Sequence, residues 1–499
     1  MTSRTLRSIT PLVTVALLAG AALAAAQAPP TTAHDVVAHA VARMGGEARL
    51  RAIHTMRVET TGYRNLLEQS ERPEGPWIPQ WEHTVELWDL DGGRWDATST
   101  LRAGGEFTMR EVVADGVAAR QFGDRWLPAG TAQVQHAEDW LALTPPRVLT
   151  LALDAADLRT EPDETYQGTR QRVVSFAWNG TRVRVLVNAQ TGFLTAAEVT
   201  RAYPDDPFLQ IWGDVTTRLA VSFWELRDDG LFFPMQWDVT LDGRPHRAVT
   251  LTSVELNPTI ADGAFGIPAD QREAFATRPG LDNPTVGATG QPPIELAPGV
   301  LHIPGSWAVT LVRQSDGVVV LEAPISAGYS ANVIAEVERR FPGLPVKAVV
   351  TTSDAWPHIG GVREYAARGI PIYLLDLNQP QIQRALDSRH TLHPDRLARE
   401  PRAADLRVVA GRTVIGEGDT RIELYPVRGE TGERMMVAYL PAVRLLYASD
   451  LIQLSRNGPP EYAWEVAEVV RRQQLDVQTV FAMHTKPTPW RTILDIVRR

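Results

Sequence analysis

A buried strand passes directly into a helix within the stretch Ala348-Val349-Val350-Thr351-Thr352-Ser353-Asp354-Ala355-Trp356-Pro357-His358-Ile359-Gly360-Gly361. The apolar run 346–351 predicts the strand, and the glycine pair opens a helix predicted over 361–368. Another short apolar run follows at 372–375. Buried strands that alternate with helices in this way indicate an α/β unit. A single imidazole, His358, lies in the loop that joins the strand to the helix.

The composition of the chain excludes several classes of function. Its 499 residues are 44% hydrophobic and 22% charged, which is typical of a soluble protein with more than one core. The formal net charge of -9 gives no attraction to nucleic acid, so no nucleic-acid partner is expected. The absence of cysteine excludes disulfides, thiolate metal sites and a cysteine nucleophile. Any metal ion would be held by His, Asp or Glu.

The first 28 residues have the pattern of an export signal. Arg4 and Arg7 form a short basic region, the apolar run 9–26 follows, and small residues allow cleavage after Ala26 or Ala28. This run is weaker than a membrane-spanning helix, and no other stretch is long and apolar enough to span a bilayer. We therefore expect a signal peptide over 1–28, no stable membrane insertion after its cleavage, and a location in a bacterial periplasm or outside the cell.

Residues 29–277 have the pattern of antiparallel β structure. Apolar and polar residues alternate on both sides of Asn179-Gly180, a dipeptide typical of a two-residue hairpin turn. Similar turns recur and predict about ten strands in a meander. Helices are predicted near 34–53 and 137–155, the second broken at Pro145-Pro146. Besides Asn179-Gly180, the predicted turns of the meander are Asp91-Gly92, Asp115-Gly116, Asp229-Gly230 and Asp242-Gly243.

In this order of helix and meander, residues 29–277 resemble the unclosed barrels of bacterial lipoprotein carriers of the LolA/LolB type. Ten of the 14 tryptophans of the chain lie in this part. Packing within the core explains most of them. A curved sheet rich in aromatic residues can also enclose an apolar ligand. The predicted fold class of this half is therefore an antiparallel, β-rich, barrel-like but unclosed domain.

A segment without periodicity, 278–298, separates the two halves. Its richness in Pro and Gly predicts a linker. Beyond it, apolar runs such as 307–312 and 318–322 alternate with helical stretches such as 331–340 and 464–473. The chain is therefore predicted to have two domains, with an α/β domain over 299–499.

The stretch 348–361 resembles the metallo-β-lactamase superfamily, which places the motif His-x-His-x-Asp-His-x-Gly-Gly at this strand-to-helix junction. The order of the surrounding elements agrees over about 296–499. The resemblance implies an αββα sandwich for the second domain. The matching segments are 299–303, 316–322, 437–441 with 445–450, and 481–484.

The resemblance also implies which metal ligands are lost. Aligned on His358 and the glycine pair, the first two His of the motif fall on Ser353 and Ala355, its Asp falls on Pro357, and a later third His falls on Glu430. Of the four ligands of the first metal of the family only Asp450, which bridges both metals, remains. A first metal ion is therefore not expected.

Three of the four ligands of the second metal match His358, Asp450 and His484. Two imidazoles and a carboxylate suit one zinc or other divalent ion, because three protein ligands leave a fourth position for water, whose pKa then falls to about 7. Glu430 would serve as an auxiliary ligand or as the general base. An active protein would hydrolyse an ester, amide, thioester or phosphoester of a small or apolar molecule.

The surviving residues also have a purely structural explanation. His358 can cap the loop, Asp450 can accept hydrogen bonds from backbone amides, and His484 can be a buried imidazole. The alternative is thus a module without metal or catalysis that binds an apolar ligand or a protein partner. Other histidines are weaker candidates: His302 lies on a predicted strand, and His390 and His393 lie in a predicted surface insertion.

Overall fold

A computed structural model describes residues 32–69, 72–102, 105–453 and 460–498. Within these ranges the first half forms a 13-stranded sheet, and the second half forms sheets of seven and six strands. The signal peptide predicted over 1–28 lies outside the described residues. No helix in the described ranges is long and apolar enough to cross a membrane.

The sheet of the first half is antiparallel throughout. Its spatial order is β6-β5-β4-β3-β2-β1-β13-β12-β11-β10-β9-β8-β7, so that two meanders join where the first strand pairs with the last. Strands β6 and β7 are its two edges, which confirms an unclosed sheet with thirteen strands rather than about ten. The strands are β1 Thr55–Asn65, β2 Pro79–Asp89, β3 Arg94–Arg102, β4 Glu106–Ala114, β5 Val117–Phe122, β6 Arg125–Pro128, β7 Arg159–Tyr166, β8 Thr169–Trp178, β9 Thr181–Asn188, β10 Leu194–Ala202, β11 Asp214–Leu226, β12 Phe232–Leu241 and β13 Arg244–Leu256.

Short helices cover one face of this sheet. They are α1 Ala33–Met44, α2 Glu47–Arg51, α3 Thr131–Leu143 and α4 Pro145–Asp154, and α5 Ala269–Ala276 follows the last strand. Pro145 begins α4, which confirms the predicted break, because proline suits the first turn of a helix. Trp88 and Trp237 are fully buried in the core between helices and sheet. These two tryptophans thus pack in the core, as the sequence predicts for most of the tryptophans of this half.

The second half has four layers. A core of apolar residues lies between the two smaller sheets, α6, α7 and α8 cover the outer face of the seven-stranded sheet, and α10 and α11 cover the outer face of the other. These layers form the αββα arrangement that the sequence predicts. The elements are β14 Ile294–Ala297, β15 Val300–Ile303, β16 Val309–Gln314, β17 Gly317–Leu321, α6 Ala327–Arg340, β18 Val346–Thr351, α7 Val362–Arg368, β19 Ile372–Leu375, α8 Gln379–Asp387, α9 Arg396–Arg399, β20 Leu406–Val409, β21 Thr413–Ile415, β22 Ile422–Pro426, β23 Met436–Leu440, β24 Leu445–Tyr447, α10 Pro460–Arg472, β25 Thr479–Phe481, β26 Thr488–Pro489 and α11 Trp490–Val497.

The predicted linker 278–298 contacts both halves. The backbone N–H of Leu281 donates to Oδ1 of Asp205 at 2.8 Å, and its carbonyl accepts from the Ser326 hydroxyl at 2.6 Å. Strand β14 lies within the predicted linker and pairs with β15. Ordered structure of the second half therefore begins before residue 299.

The two halves also share an apolar core. Ile211 and Trp212 of the first half belong to the same buried cluster as Trp356 and Tyr365 of the second. The rings of Trp212 and Trp356 meet edge to face, with centroids 5.0 Å apart. The halves thus meet over a packed interface, and the loop that carries His358 lies at that interface.

Candidate metal site

Three loops at one end of the sandwich bring His358, Asp450 and His484 together. His358 ends the short 3-10 helix Trp356–His358 that follows β18. Strands β24 and β25 are parallel neighbours, so that the loops after them, which carry Asp450 and His484, lie side by side. Backbone hydrogen bonds tie these two loops, since the Met483 N–H donates to the Ser449 carbonyl at 3.1 Å. The structure therefore assembles the predicted ligands from three distant segments.

The spacing of the donor atoms fits one metal ion. Nε2 of His358 lies 3.7 Å from Oδ2 of Asp450, and Nε2 of His484 lies 3.3 Å from Oδ1 of the same carboxylate. One ligand atom of each residue lies within 4.8 Å of the others. Ligands on a tetrahedral zinc ion, with bonds of about 2.1 Å, are about 3.4 Å apart. The carboxylate and the two imidazoles can thus share a single ion.

His358 is held in the protonation state that a metal requires. Burial, and to a smaller extent the neighbouring His484, lowers the pKa of His358 to about 3. The ring is therefore neutral at physiological pH and offers a lone pair. Its other nitrogen, Nδ1, is buried and has no hydrogen-bond partner among the described residues.

The open side of the site is flanked by aromatic rings. The side chains of His484 and Asp450 are 19% and 15% exposed, so a small molecule can reach them from solvent. Trp307 meets His484 edge to face, with centroids 6.3 Å apart, and Phe208 of the first half meets Trp307 at the same centroid distance. One side of the entrance is therefore apolar and includes a residue from the first half.

At the beginning of the loop that carries His358, the polar side chains bond to other groups of the protein. Ser353, Asp354 and Ala355 are buried, and the Ser353 hydroxyl oxygen accepts a hydrogen bond from the Ala355 N–H at 3.2 Å. Arg434 donates from Nε and Nη2 to Oδ2 of Asp354, at 3.0 and 2.6 Å. Asp354, which lies between the two lost ligand positions Ser353 and Ala355, is thus paired with the guanidinium of Arg434. No sequence pattern links residues 354 and 434, which are distant in the chain.

Glu430 is not a member of the donor group. Its side chain is exposed in the loop after β22. The loop is instead bound by Glu465 of α10, whose carboxylate accepts hydrogen bonds from the N–H groups of Thr431 and Gly432 at 2.8 and 2.6 Å. The role of Glu430 as auxiliary ligand or general base stays a prediction.

The other candidate histidines lie outside the group. His302 is buried on β15 and its Nδ1 lies 3.1 Å from the Thr310 hydroxyl. His393 is exposed and pairs with Asp282 at 2.9 Å. His390, by contrast, does not lie on the surface as predicted, because it is buried against the first half with its Nε2 3.2 Å from the Ile211 carbonyl oxygen.

Comparison with known proteins gives a likeness in fold class alone. Neither a protein-family model nor a curated protein matches the chain. A metallo-β-lactamase from Hirschia baltica is 14% identical and has a TM-score of 0.32; the match covers 42% of this chain and 96% of that one. A metallo-β-lactamase from Erythrobacter litoralis is 15% identical, with 43% and 98% covered and a TM-score of 0.32. The sec-alkylsulfatase Pisa1 from Pseudomonas sp. is 13% identical, with 42% and 41% covered and a TM-score of 0.31. The resemblance of the first half to lipoprotein carriers stays a prediction.

Proposed function

We propose that the chain is a hydrolase-like protein of the metallo-β-lactamase fold that binds one divalent metal ion at His358, Asp450 and His484. One observation carries the proposal: donors from three loops converge with the separations of ligands on one ion. The resemblance of the motif around His358 supports the same assignment.

The three ligands and their neighbours would have distinct tasks. When bound, zinc with three protein ligands keeps a position for water and lowers the pKa of that water to about 7. Asp450 supplies negative charge, and Gln453 fixes its orientation by donating from Nε2 to Oδ1 at 2.5 Å. His358 supplies a neutral imidazole from the buried side. Trp307 limits the access of bulk water beside His484.

The proposed reaction is hydrolysis of an ester, amide, thioester or phosphoester. The rings of Trp307 and Phe208 favour a substrate with an apolar group next to the bond that is cleaved. The pattern of residues 1–28 supports action in a bacterial periplasm or outside the cell. A single ion, rather than two, is proposed because Ser353 and Ala355 offer no imidazole.

A second candidate function is a module without metal. It is favoured by one contact, since a neutral His484 can donate from Nε2 to Asp450 at 3.3 Å and satisfy both groups. The same residues would then stabilise the ends of β24 and β25, and the chain would bind an apolar ligand or a protein partner.

Equilibrium dialysis against zinc followed by elemental analysis separates the two functions. We expect one zinc ion per chain in the wild type and none in His484→Ala. The matched control is His393→Ala, which removes an exposed imidazole paired with a carboxylate outside the site and should retain the ion. Asp450→Asn is a second site variant, for use if His484→Ala unfolds at a lower temperature. A wild type that binds no zinc after dialysis overturns the proposal in favour of the module without metal.

A further inference from the structure

The loop that carries His358 is held from the first half of the chain. The Trp356 N–H donates to the Glu68 carbonyl at 3.1 Å, and Trp212 packs against Trp356. The strongest connection is made by Gln210, in the 3-10 helix Gln210–Trp212. Its Nε2 donates to the carbonyls of Ile325 at 2.7 Å and Gly360 at 3.0 Å. Both hydrogens of this amide nitrogen are therefore used in the second half.

These hydrogen bonds enclose the backbone around His358. The Ile325 N–H donates to the Pro357 carbonyl at 2.8 Å. Ile325 has a φ of 71°, which is costly for a β-branched residue and persists only where surrounding contacts impose it. Gln210 thus bonds to Ile325, whose N–H holds the residue just before His358. It also bonds to Gly360, two residues after His358.

The backbone segments that Gln210 joins approach each other closely at Gly360. A Cβ atom added at Gly360 would lie 2.8 Å from Nε2 of Gln210 and 2.5 Å from the Ile325 carbonyl oxygen. Such contacts are too short for any side chain. Gly360 is therefore required mainly by its close approach to the Ile325 backbone, which Gln210 also binds.

The imidazole of His358 needs this support from its backbone. Metal-binding histidines usually donate their second ring N–H to a neighbouring acceptor, which orients the ring. Nδ1 of His358 has no such partner within the described part of the chain. Its orientation consequently depends on the position of the loop and on packing.

We propose that Gln210 is a positioning residue for His358: from the first half of the chain it fixes the loop that presents this imidazole to the metal. The effect on metal binding rests on the proposed function, whereas the effect on the loop does not. The first half would therefore be required to complete the site.

Two readouts on the full chain test this role. The first is hydrogen–deuterium exchange of peptides covering 353–361 in protein freed of metal, and the second is zinc affinity by competition with a chelator. We expect Gln210→Ala to increase exchange of these peptides and to weaken zinc binding about 10- to 100-fold. Gln210→Glu has nearly the same shape but no donor for two carbonyls, so it should have the same effects.

Ser388→Ala is the matched control. The Ser388 hydroxyl lies 3.0 Å from the Ile211 carbonyl, so it crosses the same interface beside Gln210 without contacting the His358 loop. We expect it to change neither readout. Unchanged exchange in both Gln210 variants, or equal effects in Ser388→Ala, overturns the proposal. If the wild type binds no zinc, the proposed function fails, and exchange in the metal-free protein alone decides whether Gln210 holds the loop.

Discussion

The polar groups at the two ends of the loop between β18 and α7 differ in their hydrogen-bond partners. At the beginning of the loop, Asp354 is fully buried and pairs with Arg434, and the Ser353 hydroxyl bonds to the backbone. At the end, His358 keeps a neutral ring with one nitrogen directed at Asp450 and the other without a hydrogen-bond partner among the described residues. One end is satisfied by the protein itself, and the other has capacity for a ligand.

This contrast supports the proposal of one metal ion rather than two. The guanidinium of Arg434, bonded to Asp354, places positive charge at the beginning of the loop, where a further cation would be disfavoured. Because a buried charge requires compensation, this ion pair has a structural role.

The largest expected effect is on stability, at the beginning of the loop. Arg434→Met leaves the buried carboxylate of Asp354 without its guanidinium and should lower the free energy of unfolding by about 3–5 kcal/mol. Zinc affinity should be unchanged in the variant that remains folded. Urea unfolding measures the loss. The double variant Asp354→Leu/Arg434→Met should recover most of it, because apolar side chains can replace a buried ion pair at little cost.

A variant Arg434→Met that is as stable as the wild type would contradict the assignment of this pair as structural. A loss of zinc in that variant, at conditions where it is folded, would show that both ends of the loop belong to one site.

A smaller effect on the free energy of unfolding is expected at His302, a buried histidine outside the candidate metal site. Burial lowers the pKa of His302 to about 4, so the folded ring is neutral at a pH where the unfolded chain is protonated. Below pH about 6.5 the unfolded state binds one more proton at this ring, so the ring should lower the free energy of unfolding by about 1.4 kcal/mol per pH unit until pH about 4, in addition to the effect of other buried histidines. His302→Phe should reduce this slope by that amount and leave zinc binding unchanged.

The slope is obtained from urea unfolding at several pH values between 4 and 7, about the range in which an ordinary histidine gains its proton. An identical slope in His302→Phe would mean that the ring is accessible to protons in the folded state, and a loss of zinc would place it in the site.

Much of the fold follows from local signals in the sequence. Asn179 and Gly180 adopt positive φ values of 43° and 75° between β8 and β9, as the predicted hairpin turn requires. Strands β18 and β19 coincide with the apolar runs that predicted them. These features depend on neighbours in the chain, and such patterns can be recognised without tertiary information.

The interface between the halves could not be predicted in this way. The richness of 278–298 in Pro and Gly indicated a linker, but the order of this segment arises from partners such as Asp205 and Ser326 elsewhere in the chain. The same limit applies to the pair of Asp354 with Arg434 and to the contacts of Gln210. In each case the partner is fixed only by tertiary packing, which lies within the second half for Asp354 and between the halves for Gln210.

The proximity of His358, Asp450 and His484 could be predicted because it rested on motif order. Positions 358, 450 and 484 each follow a strand that the sequence located, and the structure brings them within 4.8 Å. Glu430 was assigned only by alignment within a loop, without a predicted strand directly before it. The backbone of that loop donates hydrogen bonds to Glu465.

Calorimetric titration of the full-length protein with zinc, after removal of metal by a chelator, tests the central claim most directly. The account predicts heat of binding with a stoichiometry of one ion per chain, and no heat in His484→Ala. An absence of heat in the wild type, or saturation at two ions per chain, would contradict it.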